Sequence, residues 1–296
     1  MNAVASALPK VISASRRLDM LAGYPDELAD ILTSRCPPER THTVVIWTKD
    51  PRNLFRHHRL REVLAVYDQL FLHLTVTGLG STELEPRVPP PEEVLALLPE
   101  LIDLLGHPAR LRIRFDPIVH ILTPAGTEVC NLPYFARLAP VLANHGLHDV
   151  TTSWMTVYPK VVRRLMRAGF SPRQISREEW RHEADWLLGV AERYGLRVHG
   201  CCVEGWPRSR CIDGYLLTQL HPKGLQASTR KARGQRRCCG CTESWDIGWY
   251  KKCPLGCRYC YANPVEHPTG VGRRPFPIEF LTTIGDNGQT HDPGAA

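Results

Sequence analysis

The feature that most constrains this chain is an alternation of short β-branched runs with amphipathic stretches, sustained from residue 11 to about residue 205. The runs Val11–Ser15, Thr43–Thr48, Phe71–Thr77, Leu111–Phe115, Val150–Met155 and Leu196–Cys202 are rich in Val, Ile, Thr or aromatic residues and have the length of strands. Between them, Pro91–Leu105, Tyr134–Asn144 and Glu178–Tyr194 carry a helical period, the last with Trp180, Ala184, Leu187, Leu188 and Ala191 on one face. Strand alternating with helix implies parallel strands joined by right-handed crossovers. Six such units are too few for a complete eight-fold barrel. The expected fold is therefore α/β, a partial or distorted (β/α) barrel with a C-terminal cysteine-rich segment, and an open doubly wound sheet is the alternative. Three regions are expected: a barrel-like domain over 1–222, a basic linker with the cysteine-rich segment over 223–263, and a poorly ordered tail over 264–296, rich in Pro and Gly.

In parallel α/β architectures the C-terminal ends of the strands carry the site. Polar residues stand near those ends here: Ser15, Arg16, Arg17 and Asp19; Trp47, Thr48 and Lys49; Thr75 and Thr77; Arg114 and Asp116; Ser153; Glu204. Any one of them is more often an ordinary loop residue than a functional one. Arg16 with Arg17, and Arg114 with Asp116, are harder to dismiss, because an arginine beside a core needs a carboxylate or phosphate partner. Arg16, Arg17 and Arg114 are expected to contact an anionic group of substrate or cofactor, with Asp116 and Glu204 orienting hydroxyls or amines.

The cysteines narrow the chemistry. Of 11, Cys36 and Cys130 stand apart and the other nine fall between Cys201 and Cys260. No apolar run approaches the roughly 20 residues that span a bilayer, and Met1–Lys10 lacks a basic export region, so the expected address is cytoplasmic. In that setting clustered thiols read as metal ligands rather than as a disulfide framework. Cys253-Pro-Leu-Gly-Cys257-Arg-Tyr-Cys260 can converge three thiolates on three irons of one [4Fe–4S] cubane and leave the fourth iron open. A zinc knuckle is the alternative, although zinc sites commonly pair cysteines in two short hooks. Cys202, Cys211, Cys239 and Cys241 are expected to complete a second site, for zinc or another cluster. Strand alternation turns Cys201 away from Cys202, leaving Cys201 and Cys238 as spares. The competing reading makes these cysteines buried, reduced thiols.

The loop is similar to the motif of radical S-adenosylmethionine enzymes, including the aromatic Tyr259 before its last cysteine. Ser13-Ala-Ser-Arg-Arg-Leu-Asp19, Trp47-Thr-Lys49, Arg114-Phe-Asp-Pro117, Cys211-Ile-Asp213, Arg237-Cys-Cys-Gly-Cys241, Ser244-Trp-Asp-Ile-Gly248 and Tyr261-Ala-Asn263 resemble the bacterial family catalogued as domain of unknown function 1848. The resemblance spans most of residues 10–263 and implies a cluster on Cys253, Cys257 and Cys260. It also implies S-adenosylmethionine on the open iron; Arg16, Arg17 and Tyr259 are then expected about that cofactor, with a flavodoxin or ferredoxin as electron donor. It names no substrate. The loop here follows the α/β region instead of its first strand, and no Gly-Gly-Glu follows a second strand.

Two other functions compete. The formal charge of +7 and the basic stretch Lys223–Arg237 suit a non-enzymatic iron–sulfur or zinc protein that binds nucleic acid and uses its metal structurally or as a redox sensor, but few aromatics are present there to stack bases. A zinc-stabilised hydrolase using His199 or Asp116 as acid–base groups lacks any triad spacing.

Overall fold

A computed structural model describes residues 8–282 apart from Thr269 and Arg273. Among the described residues eleven strands run in chain order: β1 Lys10–Ala14, β2 Thr41–Thr48, β3 Leu70–Thr75, β4 Leu111–Ile118, β5 His120–Leu122, β6 Glu128–Cys130, β7 Asp149–Trp154, β8 Ser171–Pro172, β9 Arg197–Gly200, β10 Trp245–Asp246 and β11 Leu281–Thr282. Between them lie α1 Met20–Gly23, α2 Pro25–Arg35, α3 Asn53–Arg56, α4 His58–Ala65, α5 Pro91–Leu95, α6 Leu98–Leu105, α7 Tyr134–Asn144, α8 Pro159–Arg167, α9 Arg177–Arg193 and α10 Gly214–Leu220. Seven strands form one parallel sheet in the order β10-β1-β2-β3-β4-β7-β9, barrel-like but not closed. The six expected strands are its body. The seventh, β10, comes from the cysteine-rich segment and adds beside β1, with Ile12 opposite Trp245 and Ser13 opposite Asp246.

Alternation along the strands sorts the side chains onto two faces. Ile12, Ala14, Val44, Ile46, Leu72, Leu74, Ile113, Phe115 and Val150 join the main core with the helices. The other face holds Val11, Val45 and Phe71, which meet Ile212, Leu217, Ala227 and Cys241 in a second cluster. That face is otherwise polar, with Ser13, Thr43, His73, Arg112 and Thr151 all buried. A polar face can be buried only if its groups find partners, and residues 209–246 supply them. His73 bonds the Cys211 carbonyl (2.6 Å), His42 the Leu225 carbonyl (2.9 Å), Gln69 the Leu217 carbonyl (2.9 Å) and Ser13 the Asp246 carboxylate (2.9 Å). The cysteine-rich region thus shares the sheet and the core of the preceding residues.

The helix boundaries follow local chemistry. The single helix expected over 91–105 is two, because Pro99 at the start of α6 has no N–H to continue the ladder from α5. α9 starts at a capping box: Ser176 Oγ accepts from the Glu179 N–H (3.1 Å) and the Glu179 carboxylate accepts from the Ser176 N–H (2.7 Å).

A second, antiparallel sheet in the order β11-β6-β5-β8 stands beside the first. Its outer strand corrects the expectation of a poorly ordered tail from residue 264: β11 pairs with β6, and the fully buried Phe280 meets Tyr134 edge to face at 6.1 Å. Residues 283–296 lie outside the described residues. Among the described residues no helix is long and apolar enough to cross a membrane.

Candidate metal centre

The loop carrying Cys253, Cys257 and Cys260 lies over the ends of β1, β2 and β3. Two buried arginines fix it. Arg258 donates to the carbonyls of Glu83 (2.7 Å), His267 (3.2 Å) and Pro268 (3.0 Å). Arg164, on α8, reaches the carbonyls of Cys260 (2.5 Å), Arg258 (3.4 Å) and Ala262 (3.4 Å). Buried guanidiniums bonded to carbonyls rather than carboxylates hold backbone in place, and this backbone has no regular structure to do so. Gly256 has φ +69°, and a Cβ there would stand 2.2 Å from the His267 ring, so the turn between the first two cysteines needs glycine. The three thiols are unpaired and largely buried. Backbone N–H groups point at the sulfurs, that of Ala262 at Cys260 Sγ (3.3 Å) and those of Leu255 and Asp19 at Cys253. Burial pushes the Cys253 thiol up to about 12, and Cys257 and Cys260 upward as well.

Beneath Cys257 is a network that sequence reasoning missed. Glu85, 1% exposed, receives Lys49 Nζ (2.6 Å), Thr77 Oγ1 (2.8 Å) and the Tyr259 hydroxyl. Tyr259 is therefore oriented by a carboxylate, and burial with Glu85 beside it holds its phenol protonated. Thr77 and Lys49 belong to the strand ends already singled out. Glu85 sits eight residues past Thr77 in a loop with no periodic signal. Asp19 caps α1 at the Ala22 N–H (2.9 Å) and takes the Thr48 hydroxyl (2.9 Å) and the Lys49 N–H (2.8 Å), tying β1 to β2 below Cys253.

The two arginines after β1 part company. Arg17 donates to the Gly248 carbonyl (2.7 Å) and lies over the Tyr250 ring, so the C-terminal segment already uses it. Arg16 lies over the Trp47 ring, with Nη1 3.5 Å from Ser244 Oγ and Nη2 buried without a partner. Arg114 is ion-paired to Asp116, whose other oxygen takes the Ser153 hydroxyl, and Arg114 Nη1 donates to Cys211 Sγ at 2.9 Å. Tyr261 places its hydroxyl on the Arg16 carbonyl (3.1 Å) and its ring near Arg114 and Asp116. Glu204 is not drawn into this group. It is exposed and lines a cavity of about 390 Å³ with Cys202, Trp206 and Cys238. His199 pairs with Asp149 (2.8 Å) at the opening residue of β7, the far end of the sheet from Asp116, so the two do not form a hydrolytic pair.

The remaining cysteines exchange the expected roles. Cys202 forms a disulfide with Cys238, and it is Cys201 that meets Cys211, which in turn meets Cys241 and through it Cys239. Strand alternation misled here because β9 ends at Gly200, and Cys202 takes φ +60°, so the pleat does not extend to either cysteine. The basic stretch meets carboxylates from elsewhere, Lys223 with Asp68 (2.7 Å) and Arg230 with Glu243 (2.8 Å).

One further set of donors had no sequence signal, since its members come from β5, β6 and α9. His120, Cys130 and Glu183 place donor atoms within 4.8 Å of one another, close enough to hold one metal ion. As they stand, the imidazole bridges Glu128 (2.7 Å) and Glu183 (3.0 Å), and Trp154 donates to Glu183 (2.6 Å). Burial opposes the imidazolium, but hydrogen bonds with Cys130, Glu128 and Glu183 outweigh it and push His120 up to about 12.

A barrel-like parallel sheet whose C-terminal edge is covered by clustered thiols defines an α/β protein with a cysteine-rich segment suited to metal or iron–sulfur binding. The chain belongs to the family described as domain of unknown function (DUF1848), which matches residues 25–262. No curated protein matches it. Among solved structures, D-psicose 3-epimerase with D-tagatose from Clostridium cellulolyticum H10 aligns with 74% of this chain at 10% identity and a TM-score of 0.23. The aligned part is 62% of that chain, and a score so low carries no inference.

Proposed function

We propose that Cys253, Cys257 and Cys260 hold a [4Fe–4S] cluster at the sheet edge and that the protein is an enzyme of the radical-S-adenosylmethionine type. The observation that supports this reading is the loop itself: three unpaired thiols, Cys257 buried and Cys253 and Cys260 partly so, on backbone locked by Arg164 and Arg258, with N–H groups aimed at sulfur. The three sulfurs do not lie mutually within the 4.8 Å that His120, Cys130 and Glu183 satisfy among the described residues. Two sulfurs on one zinc are at most about 4.6 Å apart, twice the Zn–S bond, so the spread suits separate irons better than one shared ion. Three ligands leave an iron open.

When bound, such a cluster with S-adenosylmethionine supplies reductive cleavage of the sulfonium C–S bond and hydrogen abstraction. The chain's own part is to hold and shield. Lys49, Glu85, Thr77 and Tyr259 fill the floor beneath Cys257 and exclude water. Arg114, oriented by Asp116 and Ser153, presents positive charge beside Tyr261 for a carboxylate or phosphate of the substrate. A reduced flavodoxin or ferredoxin serves as electron donor.

Anaerobically purified protein is expected to be brown, with about four irons and four sulfides assignable to this loop. The triple variant Cys253→Ala, Cys257→Ala, Cys260→Ala should lose them. Adenosylmethionine should alter the EPR spectrum of the reduced cluster, and 5′-deoxyadenosine should accumulate. A spectrum unchanged at saturating adenosylmethionine would reduce the cluster to a structural or redox role.

A further inference from the structure

We infer that Cys201, Cys211, Cys239 and Cys241 ligate a second iron–sulfur cluster, separated from the first by Arg114, Asp116 and Tyr261. The four thiols arrive from three places. Cys201 follows β9, Cys211 lies between β9 and α10, and Cys239-Gly-Cys241 precedes β10. Gly240 lets that hook seat against the 208–210 backbone, since a Cβ there would stand 2.9 Å from the Ser209 carbonyl oxygen. The sulfurs form a string in which Cys201 meets Cys211, Cys211 meets Cys241, and Cys241 meets Cys239. Each adjacent pair, Cys201-Cys202 and Cys238-Cys239, sends one sulfur to this string and the other to the Cys202–Cys238 bond.

Two observations point to an anionic occupant. Arg114 Nη1 donates to Cys211 Sγ at 2.9 Å, and the Arg16 guanidinium, near Cys239 and Cys241, has a buried Nη2 with no partner. Four thiolates leave excess negative charge on any divalent centre, and two guanidiniums beside them compensate it. Geometry selects the class of metal. Among the described residues no three of these sulfurs lie mutually within 4.8 Å, whereas sulfurs sharing one zinc are at most about 4.6 Å apart. A string suits two irons, Cys201 with Cys211 on one and Cys239 with Cys241 on the other, because thiolates in contact can share an iron and four of them complete a two-iron cluster.

The test is iron, sulfide and zinc analysis with Mössbauer spectroscopy on anaerobically purified protein. In the Cys253→Ala, Cys257→Ala, Cys260→Ala variant, about two to four irons with matching sulfide should remain, so failure of the first site leaves this test intact. Adding Cys211→Ser and Cys241→Ser should abolish them, whereas adding Cys202→Ser and Cys238→Ser should not. Folded triple variant without metal, zinc without sulfide, or iron surviving the Cys211 and Cys241 substitutions would each overturn the assignment. Should the triple variant not fold, Cys211→Ser with Cys241→Ser in the native loop background decides. Iron should fall by about two to four per chain, and no fall rejects the site.

Discussion

Replacing Arg258 by lysine tests whether the cysteine loop is held by its buried arginines. The guanidinium serves three carbonyls at 2.7, 3.2 and 3.0 Å, belonging to Glu83, His267 and Pro268. An ammonium is a point donor on a flexible stem and can keep one of them, leaving two carbonyls to find water or go unpaired. Hydrogen bonds to a charged donor contribute about 1.5–3 kcal/mol each, and the smaller cation offsets part of the loss, so the loop should weaken by about 2.8 kcal/mol. That is about a hundredfold in the opening equilibrium. Native-state hydrogen exchange reads it directly, because the amide of residue 258 donates to the Leu84 carbonyl (2.9 Å) and that of Val265 to Cys253 (2.8 Å). Both should lose about two decades of protection while the amides of α9 keep theirs. Protection unchanged at positions 258 and 265 would refute the clamp and mean that the loop is held by packing alone.

Glu85→Gln leaves the buried Lys49 ammonium without its counter-charge and should cost about 3 kcal/mol in urea unfolding; adding Lys49→Met should recover part of that, and strictly additive losses would show the pair uncoupled. His42 is buried with Nδ1 2.7 Å from Thr43 Oγ1 and Nε2 2.9 Å from the Leu225 carbonyl, and burial lowers its pKa from 6.5. The unfolded chain therefore binds the extra proton first, so stability should fall as pH drops below about 6.5; His42→Gln should flatten the pH dependence of unfolding between pH 5 and 7, and an unaltered slope would exclude His42 as its source. Ser176→Ala removes one half of the α9 capping box and should cost about 1 kcal/mol by thermal or urea unfolding, with no measurable change counting against the cap.

The strands of the large sheet were legible because each is a β-branched run bounded by polar residues, and six expected runs coincide with β1, β2, β3, β4, β7 and β9 to within about two residues at most ends. The two-residue strands β8, β10 and β11 carry no period long enough to read, and their pairing depends on where the chain returns in space. Of the site, the triad of loop cysteines and the Arg114–Asp116 pair could be picked out by spacing and charge. Glu85 could not, since nothing near it in sequence hints that Lys49 and Tyr259 will arrive beside it. Strand alternation can sort Cys201 from Cys202 only as far as β9 runs, and β9 ends at Gly200, while Arg17 donates to the Gly248 carbonyl, a backbone partner that no charge pattern announces.

The pairing of β10 with β1 also sets an order of events during synthesis. The first strand leaves the ribosome with one edge bare and keeps it bare until residues 245 and 246 emerge, more than 200 residues later. At about 5–20 residues per second that is a wait of some tens of seconds. The cysteine loop follows still later, so its contacts with Arg164, Glu83 and Leu84 cannot form before nearly all of the described chain is out. Under the proposed function, metal delivery to this loop is a late maturation step, acting on a chain whose sheet is already formed and whose exposed first edge needs protection in the meantime.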